Sequence, residues 1–370
     1  MATYRELGVT PFINASGTIT TLGGSLMDPE VLDAMREAGS AFVDLNDLNV
    51  KAGQYLAQRI GVEAAFVSAG AASGMLLAAA ACLTGTDTKR IQNLPHTEGW
   101  KNEFVISKVD PHSYIHQGIE VSGGRLVAAG SERAVEAAQI LAAVGRNTAA
   151  IVHFLGMQTA EQLREVIEGA QELEVPVIVD AAAQLPPRSN LTDLLAMGAA
   201  LVVFSGGKGL RGPQCTGLVI GEREFVEAVR LNASPFSAVG RGMKVGKEEI
   251  LGLVTAVDRF LNSTDEEDRC LWRADAMLVV EAAQQIDGVH AHVGGEEQDA
   301  APAFAPRAYV NLPPDKSEHV VQAIRQGSPP VVIRRDSAGI LIDPMTLRPG
   351  EAQIVAQRLK EVLVATGKGN

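Results

Sequence analysis

The chain is predicted to be an α/β protein, with a doubly wound, mostly parallel sheet and a smaller C-terminal α+β domain. Three observations predict this. Short apolar, β-branched runs such as Ala149–Phe154, Val175–Val179 and Ala199–Phe204 lack polar alternation, as strands covered on both faces do. Helix-period segments separate them, which is the pattern of strand-helix-strand units. Beyond Asp287 the runs shorten and alternate with two further helices, from about Ser317 and about Gly350.

In chain order, Thr10–Thr18 turns polar after Ile13, and Leu22–Ser25 reads as a flexible connection. Asp28-Pro29 opens a helix, with a capping residue and a proline at the first helical position. A second helix spans roughly Leu48–Ile60 and leads into the strand Ala64–Val67. Ser68–Gly74 joins that strand to an Ala-rich helix running to about Cys82. Residues 86–103 read as an irregular loop before the strand Phe104–Ile106. Pro111–Ile119 follows at the end of that strand, where a crevice forms in this topology. Arg125–Ala129 is the next strand, and Ser131 is expected to cap the helix after it. Thr159–Glu172 has a helical period and feeds the strand ending at Asp180. After Lys208, Gln214–Gly221 reads as a strand, and Ser237–Lys247 as a Gly-rich basic loop carrying Arg241, Lys244 and Lys247. Glu248–Gln285 holds two helices broken at residues 262–265.

Two strand ends carry the chemistry. Val175–Asp180 delivers a carboxylate, Asp180, and Ala199–Ser205 delivers Ser-Gly-Gly-Lys, ending in Lys208. Polar residues at the carboxyl ends of parallel strands line the ligand crevice. A lysine amine for an aldehyde and an anionic partner for a ring nitrogen are what pyridoxal phosphate requires. Small residues at a helix N-terminus expose unpaired amides, so Gly70, Ala71, Ala72 and Ser73 are candidates for the phosphate, with Ser205 as an added ligand. The same small residues would also let helix and sheet pack closely. Pro329–Asp336 ends a run with Arg334 and Arg335, one of which faces inward because side chains alternate. Either is a candidate to grip a carboxylate bidentately, and Arg348 is a weaker third choice.

These motifs, VIVDAAAQ and VVFSGGKGLRGPQ, together with INASGT, SAGAASG and VGKEEI, resemble fold type I pyridoxal-phosphate enzymes of the selenocysteine synthase-like branch. That branch includes sugar-acid ammonia-lyases. The resemblance implies a fold type I, transferase-like architecture with three parts. Residues 1–45 would be an N-terminal segment over the active site, 46–250 the large cofactor-binding domain, and 251–370 the bridging helices and small domain. It implies pyridoxal 5'-phosphate on Lys208, with Asp180 at the pyridine nitrogen and His112 or His116 stacked on the ring. Gln184 would touch the 3-oxygen, and Asn14, Ser16 and Thr18 would contact substrate. In such enzymes the loop bearing Arg241, Lys244 and Lys247 serves a neighbouring protomer, and a homodimer or larger homo-oligomer is the expectation.

Composition narrows the functions. A net charge of −12 disfavours a surface for nucleic acid, and hence tRNA-dependent selenocysteine synthesis. Three scattered cysteines suggest neither a disulfide frame nor a metal site. The N-terminal residues lack the pattern of a secretory leader and no run reaches membrane-spanning length, so a cytoplasmic location is expected, without membrane partners. The expected activity is α,β-elimination and deamination of a small-molecule 2-amino-3-hydroxy acid, such as a 2-amino-2-deoxy sugar acid or its 6-phosphate. The products would be a 2-keto acid and ammonia. Racemisation or epimerisation is the alternative, ahead of selenocysteine synthesis or non-catalytic cofactor carriage.

Overall fold

The computed structural model describes residues 2–295 and 304–367. The chain divides into a larger unit, residues 25–262, and a smaller unit formed by residues 1–24 with 263–370. Residues 1–45, expected as one segment, are therefore shared between the two.

The larger unit is built on a seven-stranded sheet in the order Ala64–Ser68, Gly217–Gly221, Leu201–Ser205, Val177–Asp180, Thr148–Phe154, Glu103–Ser107, Arg125–Ala129. Gly217–Gly221 runs antiparallel to both neighbours, and the remaining pairs are parallel. Both sheet faces are apolar. Val177, Val179, Val202 and Phe204 join one core, while Ile178, Leu201, Val203, Val152 and Phe154 join another. Side chains alternate along a strand, so this division puts one core on each face, which explains the absence of polar alternation in the sequence. Helix Ala71–Thr84, buried from Gly74 to Ala81, covers the second face. Gly74 is needed there, because a Cβ would sit 2.7 Å from Val203 Cγ1.

Several local expectations change. Residues 86–103 include a short helix, Thr88–Asn93, whose Asp87 carboxylate accepts from the Lys89 and Arg90 amides. Only Ile91 of that helix is buried, so there was little hydrophobic period to see. Ser131 closes a turn with Ala134 instead of capping a helix. The helix starts at Ala137, where the Glu136 amide donates to Gln139 Oε1. Asp28 precedes helix Pro29–Gly39 as expected, but its carboxylate pairs with Arg259 Nε at 3.0 Å.

In the smaller unit, Ile13–Asn14 pairs in parallel with Val331–Val332. A four-stranded antiparallel sheet runs Arg334–Arg335, Gly339–Ile342, Arg307–Asn311, His290–Gly294. Helices Asp265–Gln284, Pro314–Arg325 and Glu351–Gly367 accompany it. The apolar content of Ile13 and Ala15, both buried with this unit's core, outweighs the polar residues after them. No helix among the described residues is long and apolar enough to cross a membrane.

Candidate active site

Parallel strands end at Asp180 and Ser205 on one edge of the sheet. Asp180 lies on the same sheet face as Ile178 and is paired in register with Phe154. Its Oδ1 accepts from the Ala182 amide at 2.9 Å. Burial raises its pKa, offset in part by that amide and by the charges of Lys208 and His112, while Asp110 pushes it further up. Burial lowers the pKa of Lys208, and the charge of Asp180 partly restores it. The two groups thus feel each other's charge in a desolvated setting. A lysine so placed is a better nucleophile near neutral pH.

The glycines beside Lys208 are required by space. A Cβ on Gly206 would lie 2.0 Å from Thr216 Oγ1, on Gly207 2.4 Å from Gln214 Cα, and on Gly209 1.9 Å from the Leu185 carbonyl oxygen. Ser25 then fastens the turn. Its Oγ donates toward the carbonyls of Gly207 at 3.0 Å and Lys208 at 2.7 Å, and its amide donates to Gly207. Leu22–Ser25 therefore ends in an anchor.

At the neighbouring edge, Gly70 adopts φ 87° and stands before the first turn of Ala71–Thr84. Ser73 Oγ is buried there with no hydrogen-bond partner. An orphaned hydroxyl beside the leading amides of a long helix fits a phosphate group. Gln184 donates from Nε2 to the Leu155 carbonyl at 3.0 Å, which fixes its side chain four residues beyond Asp180.

His112 and His116 belong to one cluster, on and just before helix Ser113–Val121. The fully buried carboxylate of Asp110 meets His112 Nδ1 at 2.5 Å and lies 3.0 Å from His116 Nε2. It also accepts from the His112 amide at 3.1 Å. His116 packs edge-on against Phe154, with ring centroids 5.9 Å apart. Tyr114 is an exposed neighbour whose pKa rises through burial of its hydroxyl, then through Asp180 and Asp110. Sequence reasoning passed over Asp110, Tyr114 and Ser25. The spacing Asp110-x-His112-x-x-x-His116 held the signal, because residues four apart share a helix face and a preceding aspartate can reach both.

Within the smaller unit, Asn14 spends its side chain on its own turn, donating to Gly17 O and accepting from the Ser16 amide. Ser16 Oγ is buried without a partner, and Thr18 is half-buried nearby in the chain. The two arginines separate. Arg335 is exposed and pairs with Glu318 at 2.6 Å. Arg334 approaches the buried Asp343, which Arg307 also holds at 2.9 Å, and its buried Nε has no partner. Lys247 donates to the Ala38 carbonyl and pairs with Glu248, whereas Arg241 and Lys244 are exposed.

The L-seryl-tRNA selenium transferase family model matches residues 112–272. A 5'-C-glycyluridine monooxygenase-decarboxylase from Streptomyces is 34% identical, covering 98% of this chain and 92% of its own. The chain belongs to the selenium transferase-like family. D-glucosaminate-6-phosphate ammonia lyase from Salmonella typhimurium is 29% identical over 97% of each chain. A solved D-glucosaminate-6-phosphate ammonia-lyase superposes with a TM-score of 0.83 at 28% identity, covering 99% of both chains. Sphingomonas wittichii serine palmitoyltransferase shares the fold, with a TM-score of 0.63 at 15% identity over 96% of this chain and 88% of its own. The protein is thus an enzyme with the fold type I architecture.

Proposed function

We propose that this family member is a lyase that eliminates across the α and β carbons of a 2-amino-3-hydroxy acid and releases a 2-keto acid and ammonia. The full-length likeness to an ammonia lyase in both sequence and fold carries this reading. The substrate class proposed is a 2-amino-2-deoxy sugar acid or its 6-phosphate. Racemisation is not favoured.

We infer pyridoxal 5'-phosphate, named in solved structures that share this fold, as the cofactor; it would supply an electron sink for charge developing at the substrate α-carbon. Lys208 is the residue proposed to hold its aldehyde and, once displaced, to take the α-proton. Asp180 is the group proposed at the pyridine nitrogen, where a cationic partner would offset the burial that now disfavours its ionised form. Gly70, Ala71, Ala72, Ser73 and Ser205 are proposed for the phosphate, His112 or His116 for the ring face, and Gln184 for the 3-oxygen. The charge of His112, felt at Asp180, favours His112 over His116. Asn14, Ser16, Thr18 and Arg334 are proposed for substrate, with Arg334 preferred to Arg335 because Arg335 is exposed and already paired.

The protein is proposed to work as a homodimer or larger homo-oligomer, since Leu32, Phe42, Val43 and Tyr55 of the larger unit are exposed large side chains. Its three cysteines are free, which suits a reducing cytoplasm. The net charge of −12 supports a small-molecule substrate over a nucleic acid.

One assay decides. Keto acid and ammonia should appear together from the sugar-acid panel, at rates matching substrate loss. Exchange of the α-deuterium with inversion and no keto acid would refute elimination. The Streptomyces relative supports a second reading, in which the bond to the carboxylate breaks. Release of carbon dioxide with consumption of oxygen would establish that reading instead.

A further inference from the structure

The carboxylate of Asp110 has no solvent-exposed side-chain surface, yet it lies in a cluster that already contains Asp180. A second buried carboxylate beside the first costs free energy unless it is paired, and it makes Asp180 harder to ionise. Apolar residues could have filled the position. Instead, its Oδ1 meets His112 Nδ1 at 2.5 Å, while His116 Nε2 lies 3.0 Å from Oδ2 without a hydrogen bond to it. Oδ2 also accepts from the His112 amide at 3.1 Å, which fixes the backbone where helix Ser113–Val121 begins.

The two rings differ in access. His116 is the more enclosed and is held against Phe154, whose backbone pairs with Asp180. The His112 side chain keeps 40% of its surface exposed, and its charge is felt by Asp180. With Nδ1 turned to the carboxylate, Nε2 is the ring nitrogen left for another partner.

We propose that Asp110 is a positioning residue that fixes the orientation and tautomer of His112, so that His112 Nε2 is the proton donor to the leaving β-oxygen. The proposal rests on the elimination reading above and names the acid that reading requires. In the step, Lys208 takes the α-proton and the electron pair left behind forms the bond between the α and β carbons. The bond from the β-carbon to oxygen breaks, its pair goes to oxygen, and the proton of His112 Nε2 completes a water molecule. Solvent then returns a proton to the neutral ring. Asp110 accepts from Nδ1–H before and after the transfer, which keeps Nε2 aimed at the leaving oxygen. The His112 amide, donating to the other oxygen, keeps Asp110 from turning away.

The test uses holoenzyme with 15N-labelled histidine. In the wild-type protein the His112 ring, assigned by its loss in His112→Gln, should carry a proton on Nδ1. In Asp110→Asn that single form should give way to a mixture of tautomers. A wild-type ring with Nδ1 deprotonated, or an unchanged pattern in Asp110→Asn, overturns the proposal. The wild-type spectrum decides even if the variant does not fold. In kinetics, Asp110→Asn should lower kcat about 10²-fold, the scale of a lost acid-base contribution, with the yield of borohydride-trapped cofactor unchanged. The same change in a His112→Gln background should cost little more, because Asp110 acts through His112. An equal loss in both backgrounds shows independent action and refutes the proposal. If no substrate yields keto acid, the elimination reading fails on its own, and the tautomer measurement still judges the role of Asp110.

Discussion

At the scale of single residues, burial decides which titratable groups are usable. Lys208 and Asp180 are both shifted toward their neutral forms by desolvation, and each partly restores the charge of the other. Replacing Lys208 with Ala should abolish borohydride trapping of the cofactor; a label recovered on a different lysine would refute the assignment. Replacing Asp180 with Asn should leave the cofactor bound and slow α-deuterium exchange by about 10²-fold or more, measured by proton NMR. His153 shows the same physics away from the chemistry. It is fully buried, and burial pushes its pKa down to about 4 from 6.5. The folded state therefore binds its proton more weakly than the unfolded chain. Its contribution is complete above pH 6.5 and is lost as pH falls from 6.5 toward 4, by about 3 kcal/mol. His153→Leu should flatten the fall in Tm across that interval. Of the residues in these clusters, Asp180 and Lys208 were legible because strand ends advertise them. Asp110 was passed over although its spacing to His112 and His116 is in the sequence, because an aspartate beside a proline reads first as an ordinary turn.

At the scale of elements, the lysine turn is set by the lack of room around it. Gly209→Ala would bring a methyl to within 1.9 Å of the Leu185 carbonyl oxygen. Such a backbone clash should cost about 1–3 kcal/mol and weaken cofactor retention, read by dialysis and absorbance. Ser25→Ala removes the hydroxyl that donates to the Gly207 and Lys208 carbonyls. Its expected cost is about 1 kcal/mol, with a smaller loss of cofactor. If Ser25→Ala proved the more damaging of the two, the spatial account of the glycines would be wrong. The Ser-Gly-Gly approach to Lys208 was visible in the sequence at the end of a strand. The neighbours that forbid side chains there, Thr216, Gln214 and Leu185, are visible only once the chain is folded. Helix Thr88–Asn93 escaped notice for a related reason, since one buried isoleucine makes no period.

At the scale of the whole molecule, an exposed apolar set on the larger unit argues for self-association. Phe42 is entirely exposed, and Leu32, Val43 and Tyr55 are also open. Sedimentation should give at least twice the 39.0 kDa chain mass. Phe42→Asp together with Leu32→Asp should shift that value toward the monomer. A wild-type protein that sediments as a monomer would end the oligomer proposal. The sequence alone determined the sheet architecture and pointed to Lys208 and Asp180, the pair proposed to hold the cofactor. Those features are written in local terms: runs of apolar residues, their period, and the polar residues where each run stops. Tertiary structure alone decided that Arg334 and Arg335 take different partners, that the first strand joins the C-terminal unit, and that one buried aspartate fastens His112 beside His116. Each depends on which groups meet after distant segments pack or a side chain turns. Hydrophobic period carries no information about such meetings.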